Sequence, residues 1–143
     1  MKNSSYHILM IEDNPGDIEL TRSALEEIDY DIQLSSFQEA EQAFDFIRDN
    51  HHLVDLILLD LNLPKLNGLE LLLKFKKYEE ISAIPTLVFS TSKSPTDINQ
   101  AYRFGANAYL VKPGSFNEYK AIIKDNCDYW FKQVYLRNKD AVL

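Results

Sequence analysis

Several short apolar runs of the chain end in side chains that could bind a metal ion or take part in group transfer. These side chains are Glu12, Asp13, Asp60, Ser90 and Lys112. Each has an ordinary explanation when taken alone, because acidic and hydroxyl residues often cap the helices that follow strands. Three carboxylates held close together would repel one another unless a cation neutralised them. The set therefore predicts a metal ion or a lysine among the carboxylates, and the chain offers both possibilities.

Mg²⁺ is the metal that suits such a set of ligands. It prefers octahedral sites made of a few carboxylate oxygens, a backbone carbonyl and several waters. Asp13, Asp60 and the backbone carbonyl of Asn62 could supply these ligands, with Glu12 as the other acidic member of the site. The sequence therefore predicts a magnesium site made of these four residues.

The reactive side chains can meet only if the apolar runs before them belong to one sheet. Hydrophobic patterns predict strands at 6–11, 32–37, 54–61, 86–90 and 108–111. Apolar residues at helical spacing predict helices after Pro15, across 38–48, after Gly68, from Pro95 to about Phe104, and from Ser115 nearly to the C-terminus. This alternation predicts an α/β fold with parallel strands and helices on both faces of the sheet. Reactive groups of such sheets gather at the carboxyl ends of the strands, where the candidate residues fall.

Composition limits the size and the partners of the protein. A chain of 143 residues, 45% of them hydrophobic, predicts a single domain over 1–143. The net charge of −7 argues against direct binding to DNA. The N-terminus lacks a signal-peptide pattern, and the apolar runs are far shorter than the roughly 20 residues of a membrane-spanning helix. We therefore expect a cytoplasmic protein that does not insert into a membrane.

Together these motifs resemble the receiver domain of two-component response regulators over about residues 6–125. The matching positions are Glu12-Asp13, Asp60 within LLDLNLPKLNG, Ser90, Tyr109, and Lys112-Pro113 within AYLVKP. The resemblance implies a flavodoxin-like (βα)5 fold whose five-stranded parallel sheet has the order 2-1-3-4-5, with an extended C-terminal helix. It also implies a single-domain regulator similar to those that serve bacterial and cyanobacterial phytochromes.

The resemblance further implies a role in phosphoryl transfer that depends on Mg²⁺. Asp60 would accept the phosphoryl group from a phosphohistidine of a histidine kinase or a histidine phosphotransfer protein. Lys112 would offset charge on the phosphoryl oxygens. Ser90 would then bond to the phosphoryl group and Tyr109 would rotate, which would reshape the surface that signals to a partner. Such a domain is not a classical enzyme, since it catalyses at most its own phosphorylation and dephosphorylation.

Two other functions are compatible with parts of the pattern. Phosphatases with an aspartate nucleophile resemble it, but they carry a second aspartate two residues after the nucleophile as a general acid. This chain has Asn62 at that position, so protonation of a leaving group lacks a candidate residue. The other alternative is a receiver fold that docks partners independently of phosphorylation. The complete set of site residues argues against this docking module.

The C-terminal extension, about 126–143, is rich in aromatic residues. Tyr129, Trp130, Phe131 and Tyr135 all fall within it. Some of these rings could pack on the sheet of their own domain, but one narrow helical stripe cannot bury three consecutive aromatic residues. The pattern therefore predicts that one or two rings are exposed. Exposed aromatic residues here suggest a homodimer through the C-terminal helical face.

Overall fold

The computed structural model describes residues 5–138, which contain one sheet of five strands. The strands are β1 Ser5–Ile11, β2 Asp31–Phe37, β3 Leu56–Leu59, β4 Thr86–Ser90 and β5 Ala108–Val111. Neighbouring strands are parallel throughout, in the order β2-β1-β3-β4-β5. The predicted α/β fold and the predicted strand order are confirmed.

Helices connect the strands and cover both faces of the sheet. They are α1 Pro15–Glu26, α2 Ala40–Asn50, α3 Gly68–Phe75, α4 Glu79–Ser82, α5 Pro95–Arg103 and α6 Phe116–Asp128. A 3₁₀ turn, His51–Leu53, lies between α2 and β3. The sequence did not predict α4, because this four-residue helix buries only Ile81 and so has no apolar period. Within residues 5–138, no helix is long and apolar enough to cross a membrane.

The strands divide the core into two layers, because successive side chains point to opposite faces of a sheet. Leu9 and Ile11 of β1 pack with α2, α3 and α5, whereas Ile8 and Met10 pack with α1 and α6. The central strand β3 is buried over its whole length. A strand covered on both faces needs apolar residues throughout, which explains the unbroken run before Asp60.

Four of the helices begin at a residue whose side chain caps the helix. These caps determine where the loops at the carboxyl ends of the strands stop and the helices start. Asn14 Oδ1 accepts from the Gly16 N–H at 2.8 Å, and Asn67 Oδ1 accepts from the Leu69 N–H at 2.8 Å. The hydroxyls of Ser94 and Ser115 accept from the third residue of α5 and of α6. Such caps satisfy N–H groups that have no partner within the helix.

The helix predicted from Ser115 ends earlier than the sequence indicated. After α6, the chain makes a wider π-helical turn, Tyr129–Gln133, and Val134 is already extended. The Phe131 ring stacks on Tyr6 of β1 with 4.3 Å between ring centroids, and its carbonyl accepts from the Tyr6 hydroxyl at 3.0 Å. These contacts hold the π-helical turn against the sheet. The predicted extended C-terminal helix is therefore confirmed as far as Gln133. The prediction that it continues nearly to the C-terminus is wrong for 134–138, which are not helical, and 139–143 lie outside the described residues.

The segment after the π-helical turn packs against the amino end of the sheet. The Arg137 guanidinium donates to the carbonyls of His51 and Val54, at 2.8 and 3.0 Å, just before β3 begins. Tyr129 is 50% exposed and Tyr135 is 99% exposed. The prediction that one or two aromatic rings of the extension are exposed is thus confirmed.

Candidate functional site

The carboxyl edge of the sheet brings together the reactive side chains predicted from the sequence. Glu12 follows β1, Asp60 follows β3, Ser90 ends β4 and Lys112 follows β5. Backbone hydrogen bonds continue the strand pairing to these residues, from Asp60 N to the Ile11 carbonyl at 3.0 Å and from Lys112 N to the Ser90 carbonyl at 2.8 Å. Strand register therefore positions the site.

The Lys112 ammonium lies at the centre of the site. Its side chain is 6% exposed, and its Nζ donates to Glu12 Oε1, to Asp17 Oδ2 at 2.9 Å and to Asp60 Oδ2 at 3.2 Å. An ammonium has three protons, so these contacts use all of them. Asp17 was missed by the sequence analysis. The available signal was its place in the first turn of α1, four residues after Asp13.

Three carboxylates form a cluster beside this lysine. One oxygen each from Glu12, Asp13 and Asp60 lies within 4.8 Å of the others, with Glu12 and Asp60 buried and Asp13 exposed. Backbone N–H groups hold two of these carboxylates: Asn14 N donates to Glu12 Oε2 at 3.1 Å, and Asn62 N donates to Asp60 Oδ1 at 3.2 Å. Close carboxylate oxygens at a partly open edge are the donor set that hard divalent cations prefer. The residues present therefore fit such a cation.

Burial and the charges of the cluster shift the pKa values of Glu12 and Lys112. Burial raises the pKa of Glu12 to about 8, against the hydrogen bond from Lys112, and the charge of Asp60 adds to the rise. Burial alone would lower the pKa of Lys112, but its hydrogen bonds to Glu12 and Asp17 and the nearby negative charges raise that pKa above its ordinary value. Lys112 is therefore charged at neutral pH, and a divalent cation would favour the charged form of Glu12.

A close backbone approach positions the loop after Asp60. A Cβ at Gly68 would lie 2.3 Å from the backbone oxygen of Asp60 and 2.6 Å from the Cα of Leu61. The Gly68 N–H also donates to the Leu61 carbonyl at 3.0 Å. Backbone atoms cannot move aside as a flexible side chain can, so this position needs glycine. Gly68 thus has a structural role beside the site.

Ser90 and Tyr109, the predicted switch residues, are linked through one loop residue. Ser90 is fully buried, and its Oγ accepts from the Ser92 N–H at 3.2 Å. The Tyr109 ring is half-buried on β5, and its hydroxyl donates to the Ser92 carbonyl at 2.9 Å. The side chain of Tyr109 is therefore hydrogen-bonded to the loop that follows Ser90.

Comparison with known proteins agrees with this geometry. The profile of the family described as "response regulator receiver domain" matches residues 8–124. The chain is 30% identical over 134 residues to response regulator Rcp1 of Synechocystis, covering 90% of this chain and 91% of Rcp1. It is 35% identical over 127 residues to the probable methanogenesis regulatory protein FilR2 of Methanothrix harundinacea, covering 86% of this chain and 82% of FilR2.

Solved structures of such regulators superimpose on almost the whole chain. The phosphorylated cyanobacterial phytochrome response regulator RcpA matches with a TM-score of 0.89 and 31% identity, covering 94% of this chain and 99% of RcpA. The Mn²⁺-bound form of Rcp1 matches with a TM-score of 0.85 and 28% identity, covering 93% of this chain and 99% of Rcp1. The similarity therefore extends beyond the residues that the family profile matches.

Proposed function

Because the chain belongs to the response regulator receiver family of two-component signalling, we propose that Asp60 accepts a phosphoryl group. The proposal rests on the position of Asp60. Its carboxylate is buried at the carboxyl end of the central strand, with Lys112 on one oxygen and the Asn62 N–H on the other. The phosphorylated state of RcpA supports the same reaction here.

The donor in this proposal is a phosphohistidine of a histidine kinase or a histidine phosphotransfer protein. An Asp60 carboxylate oxygen attacks phosphorus, and the bond from phosphorus to the imidazole nitrogen breaks. The electron pair of that bond stays on the ring nitrogen, and an acyl phosphate forms on Asp60. Lys112 lies beside the reacting carboxylate, so its charge offsets negative charge that the phosphoryl oxygens bring.

Mg²⁺ is the cofactor in this proposal, held by Glu12, Asp13, Asp60 and the backbone carbonyl of Asn62. The carboxylate cluster supports the assignment, as does the Mn²⁺-bound form of Rcp1. When bound, the ion supplies positive charge that offsets the charge of the carboxylates and of the incoming phosphoryl group. Asp60 supplies the nucleophile, and Lys112 holds its carboxylate in place.

Ser90 and Tyr109 transmit the change in this proposal. The Ser90 hydroxyl accepts from Ser92, which leaves its own proton available to a phosphoryl oxygen. A bond from Ser90 to that oxygen would move the loop that holds the Tyr109 hydroxyl. The surface made by α5, β5 and α6 would then change, and a partner protein would respond to it.

Intact-mass measurement with acetyl phosphate tests this proposal directly. With Mg²⁺, the purified chain is expected to gain the mass of one phosphoryl group. Chelation of Mg²⁺ before the donor is added is expected to lower the rate of adduct formation at least roughly a hundredfold. Without the metal ion, Lys112 alone would offset the repulsion between the crowded carboxylates and the negative phosphoryl oxygens.

The folded state is checked by circular dichroism in both conditions. An equal adduct with and without Mg²⁺ would contradict the metal assignment. A folded chain that gains no phosphoryl group with Mg²⁺ would contradict the phosphoacceptor and favour the phosphorylation-independent docking module.

The remaining features of the proposal concern the protein as a whole. We propose one receiver domain over 1–143 with a core at about 6–125, a cytoplasmic location, and signalling through proteins and not through direct DNA binding. The net charge of −7 supports the absence of DNA binding. Receiver domains are signalling domains, so any catalysis concerns the domain's own acyl phosphate.

A homodimer through the C-terminal face is also part of the proposal. The exposure of Tyr129 (50%) and Tyr135 (99%) supports it, because large exposed aromatic side chains are enriched at interfaces. Sedimentation velocity at micromolar concentrations is expected to show a dimer, and a Tyr129→Ser/Tyr135→Ser variant is expected to weaken association at least roughly tenfold. Phe116→Ser is the matched control, since Phe116 is 71% exposed at the opposite end of α6.

Association that is equal in the wild type and the double variant would exclude this face. A wild type that stays monomeric throughout the concentration range would exclude the dimer.

A further inference from the structure

Ser92 uses all of its polar groups in hydrogen bonds of the loop between β4 and α5. Its N–H donates to Ser90 Oγ at 3.2 Å, and its carbonyl accepts from the Tyr109 hydroxyl at 2.9 Å. Its hydroxyl donates to Asp97 Oδ2 at 2.6 Å and accepts from the Ser94 N–H at 3.2 Å. Ser92 therefore connects the hydroxyl residue that ends β4 with the aromatic residue on β5.

Tyr109 is attached to α5 at a second place. Its backbone N–H donates to the Tyr102 hydroxyl oxygen at 3.1 Å. Because β5 is an edge strand, that N–H has no partner strand on its outer side, and Tyr102 covers it. Asp97 lies in the first turn of α5 and Tyr102 near its last turn. Tyr109 is thus bonded to both ends of α5, through Ser92 at one end and Tyr102 at the other.

The contact between Ser92 and Asp97 is the strongest member of this network. A hydroxyl that donates to a carboxylate makes a short, charge-assisted hydrogen bond, and the distance of 2.6 Å is typical of one. The same hydroxyl also accepts from Ser94, and hydrogen bonds that share a group strengthen one another. The loop is therefore ordered by its own side chains without a group bound to Ser90.

We propose that the Ser92–Asp97 hydrogen bond is a latch that holds Tyr109 docked on the β4–α5 loop before any phosphorylation. Ser92 and Asp97 are positioning residues in this proposal, because they act through Tyr109 and Ser90. The latch orients the Ser92 N–H toward Ser90 Oγ, so that the Ser90 proton points elsewhere and is ready for an incoming oxygen. Only this last consequence rests on the proposed function.

Helix capping is the alternative explanation for the same contacts. Ser94 Oγ accepts from the Asp97 N–H at 3.4 Å and begins α5, so a change at Asp97 could act by loosening the helix. Ser94→Ala separates the two explanations. It removes the capping hydroxyl but retains the Ser92 and Asp97 side chains and the Ser94 backbone N–H.

The docking of Tyr109 can be measured in the unmodified full chain by fluorine NMR after incorporation of 3-fluorotyrosine. The chain has eight tyrosines, and the resonance missing from a Tyr109→Phe variant identifies Tyr109. A soluble paramagnetic chelate then broadens each resonance in proportion to its exposure. In the wild type, the Tyr109 resonance is expected to be protected relative to that of Tyr135, which is 99% exposed.

Ser92→Ala and Asp97→Ala are each expected to increase the broadening of Tyr109, because loss of one hydrogen bond raises the ratio of undocked to docked ring about three- to tenfold. Ser92→Thr retains the hydroxyl and is expected to restore the protection, and Ser94→Ala is expected to match the wild type. An exposed Tyr109 in the wild type would overturn the latch. Equal broadening of Tyr109 in Ser94→Ala and Ser92→Ala would also overturn it, as would a Ser92→Thr variant that does not restore the protection of Tyr109. No phosphodonor is present, so failure of Asp60 to accept a phosphoryl group would leave this result unchanged.

Discussion

Replacement of Asp60 with asparagine is expected to abolish the phosphoryl adduct formed from acetyl phosphate. The amide is a far poorer nucleophile than the carboxylate, so we expect the initial rate of adduct formation to fall at least roughly a thousandfold. The fold should survive, because the change removes one charge from a crowded cluster of carboxylates. Intact mass gives the adduct, and thermal unfolding verifies that the variant is folded.

Asp55→Asn is the matched control for this experiment. Asp55 is also a buried aspartate, 5% exposed, but it directly precedes β3 and so lies at the amino ends of the strands, away from the site. Its carboxylate accepts from the His7 N–H at 2.9 Å, and an asparagine retains an acceptor oxygen there. We expect this variant to form the adduct at the wild-type rate. An adduct that persists in Asp60→Asn, or that is lost in a folded Asp55→Asn, would place the acceptor elsewhere.

The positions of the main reactive residues could be predicted because they follow from strand order. Glu12, Asp60 and Lys112 each come directly after a strand, and parallel strands bring their carboxyl ends to one edge. The apolar runs identified those strands, and short loops left few alternatives for their connection. Local sequence was therefore enough to predict which side chains would meet.

The contact between Lys112 and Asp17 could not be predicted, because it depends on how α1 is oriented on the sheet. Asp17 is one of several acidic residues near the start of α1, and helical periodicity does not show which of them faces β5. The orientation of α1 on the sheet decides it. Tyr119 of α6 helps to hold that orientation, since its hydroxyl bonds to Thr21 at 2.9 Å and donates to the Asp17 carbonyl at 3.2 Å.

The path of the chain after Gln133 was mispredicted for a similar reason. Apolar residues continue at helical spacing as far as Val134, and the helical turns reach Gln133, so the local pattern and the structure agree up to that point. Contacts distant in the sequence, between Tyr6 and Phe131 and between Arg137 and the turn before β3, hold the chain against the sheet instead. Tertiary contacts therefore decide the path of 134–138, which the local pattern does not predict.

Lys112→Met is expected to cause the largest loss of stability among single changes at the site. Methionine has a similar length without the charge, so Glu12, Asp17 and Asp60 would lose the ammonium that their carboxylates share. Removing one partner of a buried ion pair costs about 3–5 kcal/mol, because the remaining charge is left uncompensated. We expect a loss of about 3 kcal/mol, since Asp17 is partly exposed. Urea unfolding in a chelating buffer measures it.

Lys120→Met provides the matched control. Lys120 pairs with Glu27 at 2.7 Å, but their side chains are 34% and 62% exposed. A surface pair of this kind contributes less than about 1 kcal/mol, since water screens both charges. Equal losses of stability in the Lys112 and Lys120 variants would show that the buried carboxylates do not depend on the ammonium.

Addition of Mg²⁺ to the Lys112→Met variant distinguishes two roles of this lysine, which are holding the carboxylates in place and offsetting charge on the phosphoryl group. A cation that binds the folded state stabilises it by mass action, so Mg²⁺ should recover part of the lost stability by neutralising the carboxylates. Recovery should be larger than the gain in the wild type, where the ammonium already offsets their charge. If stability recovers while the initial rate of adduct formation stays at least roughly tenfold low, Lys112 also offsets charge on the phosphoryl group. Recovery of both together would limit Lys112 to holding the carboxylates in place.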